Sequence, residues 1–207
     1  MRGACALAFS TLAVMAACSS FSADVSPVDG DAGADSAADG SEDGAKDAAD
    51  DAPNLLTNGD FELGCGGWST NSTAGDLTES TNPPPHGGAK SCLVCGKGDA
   101  GTTYPIYKNV TVDAPQGAQF YAEAYARTAP DASAPQSFGI RLDVYAQDGG
   151  IAQMGAVTVP PIDGTWSRAS TTIDVTAAGG VLVRLTLRAS PLDSCFLVDD
   201  ARLVRTK

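Results

Sequence analysis

Gln119-Phe120-Tyr121-Ala122-Glu123-Ala124-Tyr125-Ala126-Arg127 is the stretch that decides the fold. Its apolar residues recur at every second position. Phe120, Ala122, Ala124 and Ala126 face one way, and Tyr121, Glu123, Tyr125 and Arg127 face the other, which is the period of a half-buried β-strand. Working outward, Ser137 to Tyr145 repeats the pattern, with Ile140, Leu142 and Val144 opposed to Arg141, Asp143 and Tyr145. Val181 to Arg188 sets Val181, Val183, Leu185 and Leu187 against Arg184, Thr186 and Arg188. Trp166 to Val175, Ile106 to Val112, Ser91 to Cys95 and Phe196 to Val204 read as further strands, and Leu55-Leu56 with Phe61 as the first. Clusters of Gly, Pro, Asn and Asp separate them, and little helical periodicity intervenes. Seven or eight strands joined by long turns predict an all-β, two-sheet antiparallel sandwich, with a jelly roll as the first choice.

The rest of the chain differs in kind. Met1-Arg2 and the apolar run Ala4 to Ala17 have the layout of a signal peptide over residues 1–17, too short to span a bilayer. The run ends in Val14-Met15-Ala16-Ala17-Cys18-Ser19, which resembles a bacterial lipobox. Small residues before the cysteine admit a protease, and the thiol of Cys18 takes the lipid. Ser19 after the cysteine favours the outer membrane. The expectation is an exported protein whose only contact with the membrane is that lipid anchor. An ordinary signal peptide cut nearby, with Cys18 incidental, is the plainer alternative.

Residues 18–53 form an acidic Asp/Ala/Gly tether. Between Asp24 and Ala52 there are nine Asp and one Glu against one Lys. Such a segment buries too little apolar surface to offset its conformational entropy, so disorder is expected, and like charges extend it. The formal net charge of -12 therefore sits mostly in the tether. Residues 54–207 hold fifteen acids and eleven bases without a basic run, which argues against a nucleic-acid partner. They make one domain large enough for a real core, expected as a monomer.

Cys65, Cys92, Cys95 and Cys195 remain after Cys5 and Cys18 are set aside, an even number in an exported domain, so two disulfides are expected. Strand alternation sends Cys92 and Cys95 to opposite faces, which disfavours a bond between them. Cys65–Cys95 with Cys92–Cys195 is the favoured pairing, and the swapped pairing is the alternative. Zinc suits the irregular spacing and oxidising compartment poorly. Catalysis finds little support: His86 is the only histidine, and neither a Gly-x-Ser-x-Gly elbow nor a nucleophile beside a base is visible.

Four motifs in order resemble carbohydrate-binding modules of families 4, 9 and 22. They are Asn54-Leu55-Leu56-Thr57-Asn58-Gly59-Asp60-Phe61-Glu62 with Gly67-Trp68, then His86-Gly87-Gly88-Ala89-Lys90-Ser91-Cys92-Leu93-Val94, then Phe120 to Tyr125, and last Phe196-Leu197-Val198-Asp199-Asp200-Ala201-Arg202-Leu203. The resemblance implies a galactose-binding-like jelly roll, often with one structural Ca²⁺ where the first and last strands meet. Asp60, Glu62, Asp199 and Asp200 would be its acidic ligands, helped by carbonyls near His86 to Lys90; turn-capping or solvated acids are the alternative. It also implies a glycan on a concave face lined by Tyr121, Glu123, Tyr125, Arg127, Arg141, Asp143, Tyr145, Arg184 and Arg188. Aromatic faces suit the C–H side of a sugar, and the charged groups suit its hydroxyls. Cross-strand ion pairs on an exposed face have the same composition. Trp68 and Trp166 are expected in the core or at its rim. The functional expectation is a non-catalytic lipoprotein that binds a polysaccharide or other glycan. The alternative is a structural or adhesive envelope lipoprotein that contacts protein or envelope polymer with no sugar site.

Overall fold

The computed structural model describes residues 49–70, 75–96, 106–132, 136–158, 160–190 and 195–207. The signal peptide, Cys18 and most of the tether lie outside the described residues. Ten strands follow in order: β1 Gly75–Ser80, β2 Ser91–Gly96, β3 Ile106–Ala114, β4 Gln119–Thr128, β5 Gln136–Ala146, β6 Ile151–Thr158, β7 Pro161–Ile162, β8 Ser167–Asp174, β9 Gly180–Ser190 and β10 Cys195–Arg205. They form two antiparallel sheets. One runs β1-β2-β10-β4-β8; the other runs β3-β9-β5-β6, with β7 on the end of β5. This is the expected sandwich.

Alternation builds the core. Phe120, Ala122, Ala124 and Ala126 on β4 and Phe196, Val198 and Leu203 on β10 close against Phe138, Ile140, Leu142 and Val144 on β5 and Val183, Leu185 and Leu187 on β9. The alanines of β4 leave room for the bulky rings, and Phe138 packs on Phe196 at 5.8 Å. The β10–β4 register shifts between Asp199 and Arg202, with Asp200 at φ 44°. That bulge reverses the parity of β10, so Val198 and Leu203 both face the core although they are five positions apart.

The stretch read as a first strand is instead a run of turns. Asn58 and Phe61 take φ of 56° and 53°, outside any strand. Asn58 organises the segment: its amide donates to Gly64 O and Gly66 O at 2.9 Å each, its Oδ1 accepts from Leu63 N at 2.9 Å, and its carbonyl accepts from Trp68 Nε1 at 3.0 Å. Phe61 is fully buried and stacks on Trp68, which is therefore core. Asn54 fastens the segment to β10 by donating to Ala201 O and accepting from Leu203 N.

The disulfides are Cys65–Cys92 and Cys95–Cys195, the alternative pairing and not the favoured one. The cause is parity. Cys92 lies on the core side of β2 with Val94, where only Cys65 reaches it. Cys195 stands directly opposite Cys95 in the β2–β10 ladder, beside the opposed pair Leu197 and Leu93 on the outer side.

The end of the tether is also corrected. Residues 49–52 belong to the domain. Ala49 is buried against Tyr121 and Val204 on the outer side of the β1-β2-β10-β4-β8 sheet. Arg202 donates to the carbonyls of Ala49, Asp50 and Ala52. A guanidinium gathering carbonyls at the end of a helical turn satisfies groups that otherwise lack partners.

Candidate functional site

The nine residues expected to line one glycan face divide between two. Tyr121, Glu123, Tyr125 and Arg127 project from β4 on the outside of the first sheet. Arg141, Asp143, Tyr145, Arg184 and Arg188 project from β5 and β9 on the outside of the second. Alternation sets which side of its sheet each of these side chains faces, although Val181, expected inward with Val183, is 38% exposed at the start of β9; sheet membership, which alternation does not encode, separates the two sets.

The β4 set is already engaged. Tyr121 is buried under Ala49, and its hydroxyl lies against Glu123 and Arg168. Glu123 pairs with Arg168 at 2.7 Å. The ring of Tyr125 is stacked on that of His86 at 3.6 Å, with Trp166 edge-on to His86. Arg127 lies over Trp166 at 5.8 Å, and Trp166 donates to Pro84 O from this rim. Most of this side is taken up by internal contacts, although Arg127 Nε and Arg168 Nε are buried without a hydrogen-bond partner, the latter within its ion pair to Glu123.

The other sheet presents a different surface. Arg184, on central β9, stands opposite Asn109 of β3 and Asp143 of β5. Its Nε donates to Asn109 Oδ1 at 2.8 Å, and its guanidinium carbon lies 4.6 Å from the ring centres of both Tyr107 and Tyr145. A row of three planar groups thus crosses three strands, each partly exposed. Burial pushes the Tyr145 hydroxyl upward. Beside this row, Arg141 donates from Nε and Nη2 to one oxygen of Asp143, at 3.0 and 2.8 Å. Asp143 is fully buried, and burial raises its pKa against the opposing pull of Arg141. Its other oxygen, Oδ1, and the hydroxyl of buried Thr186 have no hydrogen-bond partner. Unsatisfied buried polar atoms are costly. Met154 and Ile151, 58% and 50% exposed, flank the row on β6. Tyr107, Asn109 and Met154 were missed from sequence. Tyr107 and Asn109 alternate with Ile106 and Val110 on β3, so their outward parity was legible, but their sheet was not.

Of the four acids expected to hold Ca²⁺, Asp60, Glu62 and Asp199 meet backbone donors and Asp200 meets the His86 ring. Glu62 Oε1 accepts from Ala89 N at 2.8 Å and Lys90 N at 3.1 Å, and these bonds hold its carboxyl below the usual range. Asp199 accepts His86 N and Gly87 N on Oδ2 and Asp200 N on Oδ1. Burial pushes its carboxyl up to about 6 even so. Asp200 Oδ2 lies 2.6 Å from His86 Nδ1, and Asp60 accepts loosely from Glu62 N. Among the described residues no three His, Cys, Asp or Glu side chains converge on one point. Asp60, Glu62, Asp199 and Asp200 are thus not gathered into one carboxylate cluster. Glu62, Asp199 and Asp200 fasten the 86–90 loop to the chain ends.

With this geometry in hand, solved structures show what the sandwich is. The fold is that of jelly-roll carbohydrate-binding modules. The chain is similar to the CBM22-1 xylan-binding domain from Paenibacillus barcinonensis Xyn10C, with a TM-score of 0.59 and 15% identity, covering 75% of this chain and 96% of that one. It is also similar to the CBM22-1–GH10 modules of the Clostridium thermocellum endo-1,4-beta-D-xylanase 10B complexed with xylohexaose, at 0.54 and 15%, over 75% of this chain and 28% of that one. Part of the bacteriophage CBA120 tailspike protein 4 matches at 0.55 and 13%, over 73% of this chain and 21% of that one. Identities this low establish the architecture alone. No protein-family model matches the sequence, and no curated protein matches it either.

Proposed function

We propose that this protein is a non-catalytic lipoprotein, held to the outer membrane through Cys18, whose jelly roll binds carbohydrate on the outer face of the β3-β9-β5-β6 sheet. The observation that supports it most is the Tyr107–Arg184–Tyr145 row, each member partly exposed. Planar groups offer stacking area for sugar rings, and the guanidinium offers donors to their hydroxyls. The jelly roll shared with a xylan-binding domain favours the same reading. A structural or adhesive role has no comparable feature in its favour.

Affinity electrophoresis of the full chain in gels containing a panel of polysaccharides, xylan among them, tests the binding half. Tyr145→Ala is expected to abolish retardation, whereas Tyr125→Ala, whose ring is already covered by His86, leaves it unchanged. Retardation by no polysaccharide, or loss with Tyr125→Ala alone, overturns the proposal. The anchor has its own test. Cys18→Ala should move the protein from the detergent-soluble membrane fraction to the aqueous fraction and remove incorporated labelled palmitate. Membrane association that survives the substitution excludes Cys18 as the lipid site.

A further inference from the structure

The charge of the same face points to the class of glycan, an inference that rests on the sugar-binding reading. Among the described residues, Arg141, Arg184 and Arg188 and one carboxylate, Asp143, project outward from the central strands. Asp143 gives one oxygen to Arg141 and is matched by it. Arg184 has no such match. It feels the charge of Asp143 across the ladder without an ion-pair contact, its other partners are a neutral carboxamide and two ring faces, and only its Nε makes a hydrogen bond. Its two Nη groups retain their donors. Arg188 follows on the same face of β9, about 13 Å further along at the rise of an extended strand. Asp113, the remaining acid with outward parity on β3, sits at the far end of that strand, beyond Thr111.

A guanidinium held rigid between two aromatic rings, with a free fork, is built for bidentate contact with a carboxylate. The aromatic rings alone would serve a neutral sugar; a guanidinium fork presented between them would not be needed for it. We infer that the ligand is a carboxylated polysaccharide, one bearing uronic acids, and that Arg184 binds its carboxylate. The contrast with the rest of the molecule sharpens this. At a formal net charge of -12 the chain repels polyanions, so attraction must come from this patch and not from overall charge.

The test compares three probes with the full chain by affinity electrophoresis and titration calorimetry: polygalacturonate, the same polymer after reduction of its carboxyl groups, and neutral xylan. Binding to polygalacturonate is expected, with at least several-fold weakening between 50 and 500 mM NaCl as charge is screened. Arg184→Gln should weaken it by about 10- to 100-fold, the range for a hydrogen bond between charged groups. Arg184→Lys, which keeps the charge and loses the fork, should fall between. Unchanged melting temperatures show that both variants fold. The reduced polymer should bind no better than Arg184→Gln binds polygalacturonate. If xylan and the reduced polymer bind as tightly as polygalacturonate, or Arg184→Gln leaves polygalacturonate binding intact, the carboxylate class is overturned while sugar binding stands. If none of the three binds, and none of the wider panel does, both readings fall.

Discussion

Replacing Cys95 and Cys195 together by Ser is expected to cost about 4–5 kcal/mol of stability, the entropy model's value for a closed loop of about 100 residues. The two cysteines are separated by 100 residues, so the bond restricts most of the unfolded domain. In the folded state little should change, because β2 and β10 keep their ladder from Cys195↔Cys95 to Val198↔Cys92. The Cys65–Cys92 bond, with a separation of 27, should be worth about 3.5 kcal/mol on the same model. Against a total of about 5–15 kcal/mol for a domain, the first loss is large, and for a chain of this size it corresponds to a fall in Tm of about 10 °C or more. Urea unfolding with and without reductant measures it. A loss below about 1 kcal/mol would mean that the bond does not close that loop. The pairing is checked separately: Cys65→Ser should leave Cys92 as the free thiol that alkylation finds. A free Cys95 would restore the pairing first favoured from sequence.

That pairing shows where the sequence was legible and where it was not. Alternation located β2 through β5 and β8 through β10 within a residue or two, because each has a run of core residues at every second position. The same parity held the answer to the disulfides. Cys92 shares parity with core Val94, and Cys195 lies one residue before core Phe196, so Cys195 faces outward with Cys95. Three strands carried no such signal. β1 has a single large apolar residue, Leu77, and lies at an edge. β7 is two residues long. In β6 the register with β5 shifts twice, and Gly155 sits where an added Cβ would come within 2.6 Å of Leu142 O, so its pattern is set by close backbone approach and not by alternation. Leu55, Leu56 and Phe61 misled in the opposite sense. They are apolar and mostly buried, but turns anchored on Asn54 and Asn58 bury them. The candidate face was legible residue by residue and illegible as a surface. Which sheet each strand joins depends on long-range pairing, and so does the covering of Tyr121 and Tyr125 by Ala49 and His86.

Arg141→Met is expected to destabilise the domain by about 3–5 kcal/mol at neutral pH, the cost of leaving a buried charge without its partner. Asp143 is fully buried and receives both donors of Arg141 on one oxygen, so removing the guanidinium strands a carboxylate away from water. The direction with pH follows from linkage. Burial already raises the Asp143 pKa in the folded protein, and loss of Arg141 raises it further. A carboxyl whose folded pKa exceeds its unfolded value, near 3.9, binds its proton more readily when folded. Its contribution to stability is therefore complete below about pH 4 and is lost as pH rises through the folded pKa. Asp199, pushed up to about 6, contributes with the same sign over pH 4 to 6. The deficit of Arg141→Met should accordingly be smaller at pH 4 than at pH 7. Adding Asp143→Asn should recover part of it and flatten its dependence on pH, since the amide cannot ionise. A deficit that is constant with pH, or that grows on acidification, would show that Arg141 acts through packing and not through this charge.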